Sequence, residues 1–177
     1  MAQSYIENRI ERVKVLESTG DGAFRFEAVV SEADYINQNR RMYPERVLFP
    51  AFSKVTAEIE RHPGTVDHPD PYGPVSVSDL GIAWESFWFE GSQVIGRGRI
   101  IPTAKGRDLQ AAMEAEIAIG FSTRGRGLSE EQTIDGRTVN VLTDYELDTV
   151  DAVIDPSVGH ARIRSFTKEE TEKMDKE

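Results

Sequence analysis

The stretch Ile117-Ala118-Ile119-Gly120-Phe121-Ser122-Thr123-Arg124-Gly125-Arg126-Gly127 carries one hydroxyl nucleophile on an alternating apolar frame. Ile117, Ile119 and Phe121 alternate with Ala118, Gly120 and Ser122, the period-2 pattern of a strand. Ser122 therefore falls on the face with the small side chains, where a substrate can approach. The glycines and arginines that follow read as a turn. A serine hydroxyl is a weak nucleophile until a positioned base takes its proton. The rest of the chain is read for that base and for the fold that would hold it.

Three histidines are available. His62, in Arg61-His62-Pro63-Gly64, sits at a predicted helix end, where a histidine commonly faces terminal carbonyls. His160 follows Ser157-Val158-Gly159 near the end of the patterned sequence. His68 closes the β-branched run Thr65-Val66-Asp67 and is followed by Pro69 and Pro71, which restrict the backbone. A rigid histidine at a strand end suits a general base. A third member would orient the imidazole; Asp79, Asp148, Asp151 and His160 are the candidates. An acid within the otherwise apolar run Thr149-Val150-Asp151-Ala152-Val153-Ile154 needs a partner if buried.

The flanks give the fold class. Arg12–Leu16 and Ala23–Val30 read as a hairpin around Gly20-Asp21-Gly22. Asn37 to Pro44 is a polar loop, and Pro44 opens a helix. Pro50 is expected to begin a second helical segment, with Phe52, Val55 and Ile59 on its apolar face and Pro63-Gly64 at its end. Val75–Phe89 reads as one long strand, with Leu80, Ile82, Trp84 and Trp88 on one face, then Val94–Ile101 as its partner. Gly96 and Gly98 leave room for large rings, and the tryptophans are assigned to the core. Thr103 is expected to cap a helix carrying Leu109 and Met113. Gln132–Val141 is a hairpin about Asp135-Gly136, and Tyr145–Ile154 is the last strand. Many short strands, two to three helices and no βαβ alternation predict α+β, a mostly antiparallel β-barrel or sandwich with flanking helices.

The 177 residues suit one domain, and 29% charged with 38% apolar residues is ordinary for a soluble protein. A net charge of −10 argues against nucleic acid or an anionic membrane as general partners. There is no cysteine, which excludes thiol catalysis and zinc–thiolate sites. No apolar run suits a membrane span and the N-terminus does not resemble a signal peptide, so the chain is expected to be soluble and intracellular when made. Asp67, His68 and Asp70 could approach a divalent ion, but the prolines limit their convergence. Acids in such a loop also serve simply as turn formers, and no metal is expected. Arg124 and Gly125 fit either a plain turn or a site where backbone amides and a guanidinium face an oxyanion.

Four of these motifs stand in one order: Asn37-Gln38-Asn39-Arg40-Arg41-Met42-Tyr43-Pro44, Asp67-His68-Pro69, Gly120-Phe121-Ser122-Thr123-Arg124-Gly125, and Asp151-Ala152-Val153-Ile154-Asp155-Pro156-Ser157. Together they resemble the prohead (procapsid maturation) serine proteases of tailed phages, which are related to the herpesvirus assemblins. The resemblance implies a herpesvirus-protease-like fold, Ser122 as nucleophile and His68 as general base. It implies Asp151 as third member, with Asp79 or Asp148 as alternatives, and Arg124 and Gly125 near the oxyanion. It further implies no cofactor, capsid and scaffold proteins as substrates along with the protease itself, and a homo-oligomer. The working place would be the prohead in the host cytoplasm. On that reading residues 1–166 form the protease domain and 167–177 a charged tail.

Overall fold

Residues 14–15, 22–70 and 74–166 are described by the computed structural model. The Asp135-Gly136 turn closes the hairpin that dominates it. Both residues take the left-handed backbone (φ 49° and 76°) that a two-residue hairpin turn demands. The two arms are far longer than the sequence pattern alone indicates. β7 runs Gly120–Ile134 and β8 runs Arg137–Val153, paired from Ile134↔Arg137 down to Gly120↔Val153.

The predicted turn at Arg124-Gly125-Arg126-Gly127 is therefore strand, with register shifts at Arg124/Gly125 and Leu128/Ser129. The glycines are there for space. A Cβ on Gly125 would lie 2.3 Å from the Glu146 carbonyl oxygen and 2.7 Å from the Tyr145 hydroxyl.

Two sheets make up the body. One has the order β1-β9-β2-β6-β5-β4, the other β3-β8-β7. The remaining strands are β1 (Lys14–Val15), β2 (Arg25–Glu32), β3 (Arg41–Met42), β4 (Gly64–Thr65), β5 (Leu80–Glu90), β6 (Gln93–Ile100) and β9 (Ile163–Phe166). Isolated bridges Val66↔Ala152 and Gly120↔Arg162 join the two sheets. The result is the expected α+β class, a curled, mostly antiparallel sheet flanked by helices α1 (Glu45–Ala57) and α2 (Ala104–Glu114).

Phe26, Phe52, Ile82, Trp84, Phe121 and Val150 form the centre of the core. Phe26 stacks on Phe121 at 5.3 Å and meets Trp84 edge-on, contacts worth about 0.5–1.5 kcal/mol each beyond area burial. Trp84 also donates its indole N–H to the Val150 carbonyl at 2.9 Å. Gly96 and Gly98 sit under these rings, as expected: a Cβ on Gly96 would stand 2.8 Å from Trp84. Thr103 caps α2 by accepting from the Gly106 amide, and Leu109 and Met113 are buried.

Four expectations are corrected. The strand expected from Val75 begins at Leu80, because Ser76 and Asp79 close a capping box around a 3-10 turn at Val77–Asp79. A register shift between Trp84 and Ser86 breaks the single face. Phe87 joins Trp84 in the core, while Trp88 is half-buried and bonds Glu90. Pro50 lies inside one continuous α1. In the second turn it forfeits its own bond to the Arg46 carbonyl and crowds that oxygen, a cost offset because buried Leu48, Ala51, Phe52 and Val55 hold the helix on the core. Finally, β1 pairs with β9 in parallel, and β2 pairs with β6 and β9, so β1 and β2 form no hairpin. Residues 16–21 and the charged tail lie outside the described residues.

Candidate active site

Strand alternation sets the site. In β7, Phe121 points into the core, where it is fully buried, so Ser122 and Arg124 leave the opposite face. In β8, Val150 is buried in the core, so Thr149 and Asp151 leave that same opposite face. The register pairs Ser122 with Asp151 and Arg124 with Thr149. Four polar residues thus form a square on one face. Directly opposed Cβ atoms in such a pair stand about 4.5–5.5 Å apart. Ser122 is 8% exposed and Asp151 fully buried.

The histidine comes from outside this sheet. β4 ends at Thr65, Val66 bridges to Ala152, and the Asp67 amide bonds the Ala152 carbonyl at 2.8 Å. Asp67 then takes a left-handed backbone (φ 62°), tolerable for an aspartate, which turns the chain at His68. The Thr65 hydroxyl braces this turn by donating to the Asp67 carbonyl at 2.6 Å. His68 Nδ1–H donates to Asp151 Oδ2 at 2.8 Å. A neutral imidazole bonded this way carries its lone pair on Nε2, and the ring is 42% exposed.

Asp151 accepts from four donors. The Thr65 amide (3.0 Å) and the Thr149 hydroxyl (2.8 Å) bond Oδ1; His68 and Arg124 Nε (3.1 Å) bond Oδ2. Burial alone would push this carboxyl up. The bonds from His68, Thr65 and Thr149 and the charge of Arg124 outweigh it and hold it below the ordinary carboxylate range. Asp151 is thus ionised at neutral pH.

The other candidates lie elsewhere. Asp79 binds Lys105 at 2.8 Å and caps the Ser76 amide. Asp148 offers its backbone carbonyl to His62 Nδ1–H at 2.7 Å, so His62 does face a carbonyl, though one from β8. His160 pairs with Glu32 and packs edge-on against Tyr35. Among the described residues, no three carboxylate, imidazole or thiol side chains converge as a metal site.

Arg124 and Gly125 do not form the glycine-rich turn expected to face an oxyanion. Arg124 is spent on Asp151, and Gly125 lies under Tyr145. Arg124 keeps one terminal nitrogen, Nη2, buried and unpartnered. The Arg124 residue lines a cleft of about 410 Å³ with Arg61, His62, Leu80 and Asp148. Sequence reasoning missed Thr65 and Thr149. Thr149 was findable, since residues i and i+2 of a strand share a face with Asp151. Thr65 was not, because it reaches Asp151 across 86 positions of chain.

A buried, ionised carboxylate bonded to an exposed imidazole is the acid–base half of the arrangement used in acyl transfer, and a serine stands opposite that carboxylate in the sheet. Known proteins agree. A family model described as "Prohead core protein serine protease" matches residues 5–174. The prohead core protein protease of Enterobacteria phage T4 is 31% identical over 157 residues, covering 84% of this chain and 73% of that protein. The solved structure of the bacteriophage T4 capsid assembly protease superposes with a TM-score of 0.61 at 27% identity, over 73% of this chain and 80% of that one. Fold, motif order and sequence converge, and the chain belongs to the prohead core protein serine protease family.

Proposed function

We propose that this serine endopeptidase cuts capsid and scaffold proteins inside the prohead during capsid maturation, and cuts itself, with Ser122, His68 and Asp151 as its triad. The observation that carries the triad is the His68–Asp151 bond beside the Ser122↔Asp151 register pair.

His68 Nε2 takes the Ser122 proton as Oγ attacks the scissile carbonyl, and Asp151 stabilises the imidazolium formed. The tetrahedral intermediate collapses when His68 passes that proton to the leaving amine. Water then attacks the acyl-enzyme with His68 again as base, releasing the acid and regenerating Ser122. We assign the oxyanion to backbone amides of the loop 155–161, which lies against the start of β7 through the Phe121 amide and Ala161 carbonyl. Arg124 bonds Oδ2 and adds its charge to the bonds from His68, Thr65 and Thr149 that keep Asp151 ionised. The chemistry runs without a metal or organic cofactor, and work in a shell of identical subunits favours a homo-oligomer.

The test is to incubate the chain and its Ser122→Ala form separately with a co-expressed scaffold protein, in EDTA, and follow intact masses. Cleavage by the serine form alone supports the assignment. Equal behaviour of the two removes Ser122 as nucleophile and favours a barrel that serves assembly without chemistry.

A further inference from the structure

The two strands that carry Ser122 and Asp151 leave the hairpin at their open ends, where no turn connects them. β7 is entered from Ala118, and β8 runs out through Ile154 into the loop that returns at Arg162. A single side chain ties these ends. Arg162 Nη1 donates to the Ala118 carbonyl and, at 3.3 Å, to the Ile154 carbonyl, while Nε donates to the Gly159 carbonyl at 3.0 Å. Its backbone continues the tie: Gly120 bridges to Arg162, and the Ile163 amide bonds the Ile119 carbonyl at 3.2 Å. Pro156 from the same loop fills the space over Gly120, where a Cβ would come within 2.5 Å of its ring.

All three acceptors of this guanidinium are neutral carbonyls, two beside the strand ends (Ala118, Ile154) and one in the loop between β8 and β9 (Gly159). An arginine meets them because its planar fork presents donors in several fixed directions, which an ammonium on a flexible stem does not. We infer that Arg162 is a positioning residue: it clamps the entry of β7 to the exit of β8, and thereby fixes Ser122 against Asp151 and His68. Ala118 lies two strand repeats before the nucleophile and Ile154 just past the end of the strand that carries the acid, so slack at this clamp displaces the hydroxyl while leaving the hairpin turn and core intact. The clamp also orders the loop 155–161 through Gly159. The inference rests on Ser122 being the nucleophile.

The experiment compares wild type with Arg162→Lys and Arg162→Gln, each assayed well below its own melting temperature. Two readouts are taken: kcat and KM on a peptide substrate, and the rate of phosphonylation by a fluorophosphonate, which loses fluoride to the serine hydroxyl, with the modified residue mapped by mass spectrometry. Expected are wild-type labelling at Ser122 and, in both folded variants, a fall of about 10- to 100-fold in kcat and in labelling rate with KM little changed. Arg162→Lys retains a cationic donor group but on a single nitrogen that cannot span the three carbonyls, so it serves if the Gln form does not fold. Wild-type rates in a folded variant overturn the clamp while leaving Ser122 in place. Labelling of wild type at a residue other than Ser122 overturns the triad, and the inference with it.

Discussion

His68 and Arg124 donate to the same atom, Oδ2 of Asp151, at 2.8 and 3.1 Å. One carboxylate oxygen therefore both orients the imidazole and neutralises a guanidinium. Neither task survives loss of its charge.

Asp151→Asn is the direct test. An amide cannot accept on both oxygens' positions, and it faces His68 and Arg124 with half its capacity as a donor. Activity is expected to fall about 10³- to 10⁴-fold, read as kcat/KM on a peptide substrate.

The same carboxyl makes stability depend on pH. Its folded pKa lies below the ordinary value, so its contribution is complete above about pH 4. It is lost as pH falls through the lower folded value. Urea midpoints of wild type and Asp151→Asn, measured from pH 7 to pH 2, are expected to differ most at the neutral end and to converge in acid. A constant difference across that range would show that the charge of Asp151 contributes nothing.

The histidines separate cleanly. His68→Ala is expected to lower kcat by at least about 10³-fold. His160→Gln, altered at a site paired with Glu32 and Tyr35, is expected to stay near wild type. Both are read by cleavage of scaffold protein, with circular dichroism to establish the fold.

Trp84→Phe removes the indole N–H that serves the Val150 carbonyl, leaving a buried acceptor unmet. A loss of about 1–3 kcal/mol in urea unfolding is expected. Because Val150 adjoins Asp151, activity is expected to fall beyond what the unfolded fraction explains.

Gly125→Ala forces a Cβ toward the Glu146 carbonyl and the Tyr145 ring. Destabilisation of roughly 1–3 kcal/mol is expected, measured as a shift in thermal midpoint. Activity should drop as well, since Arg124 is the next residue.

What the sequence discloses here is what neighbours along the chain decide. Asp135-Gly136 needs left-handed backbone at two adjacent positions, Thr103 caps an amide three residues on, and Gly96 and Gly98 sit in an alternating strand beside two tryptophans. Each was legible. The Arg124–Gly127 run was misread because glycine usually marks a turn, whereas these glycines make room for Tyr145 and Glu146 from the facing strand. Pro50 was misread because its local cost is small beside the apolar face of α1. The parallel β1–β9 pair and the Thr65 bond to Asp151 join segments far apart, so no local pattern encodes them. At the candidate site, Ser122 and His68 stand out by local pattern, whereas Asp151 is one of several acids until the family resemblance and then the His68–Asp151 bond single it out. The role of Arg124 was not legible, because it depends on which side of a strand faces the acid.

The hairpin has a consequence for the order of assembly. Serine and aspartate are brought together by zipping outward from one tight turn, a process of short loop closures. The imidazole must join them across 83 positions, and contacts of such separation are the slow ones in folding. During synthesis His68 leaves the ribosome long before its carboxylate exists. Local closure thus favours pairing of hydroxyl and acid ahead of docking of the base. With the proposed triad, a form lacking the His68–Asp151 contact has no base for Ser122 and is inert.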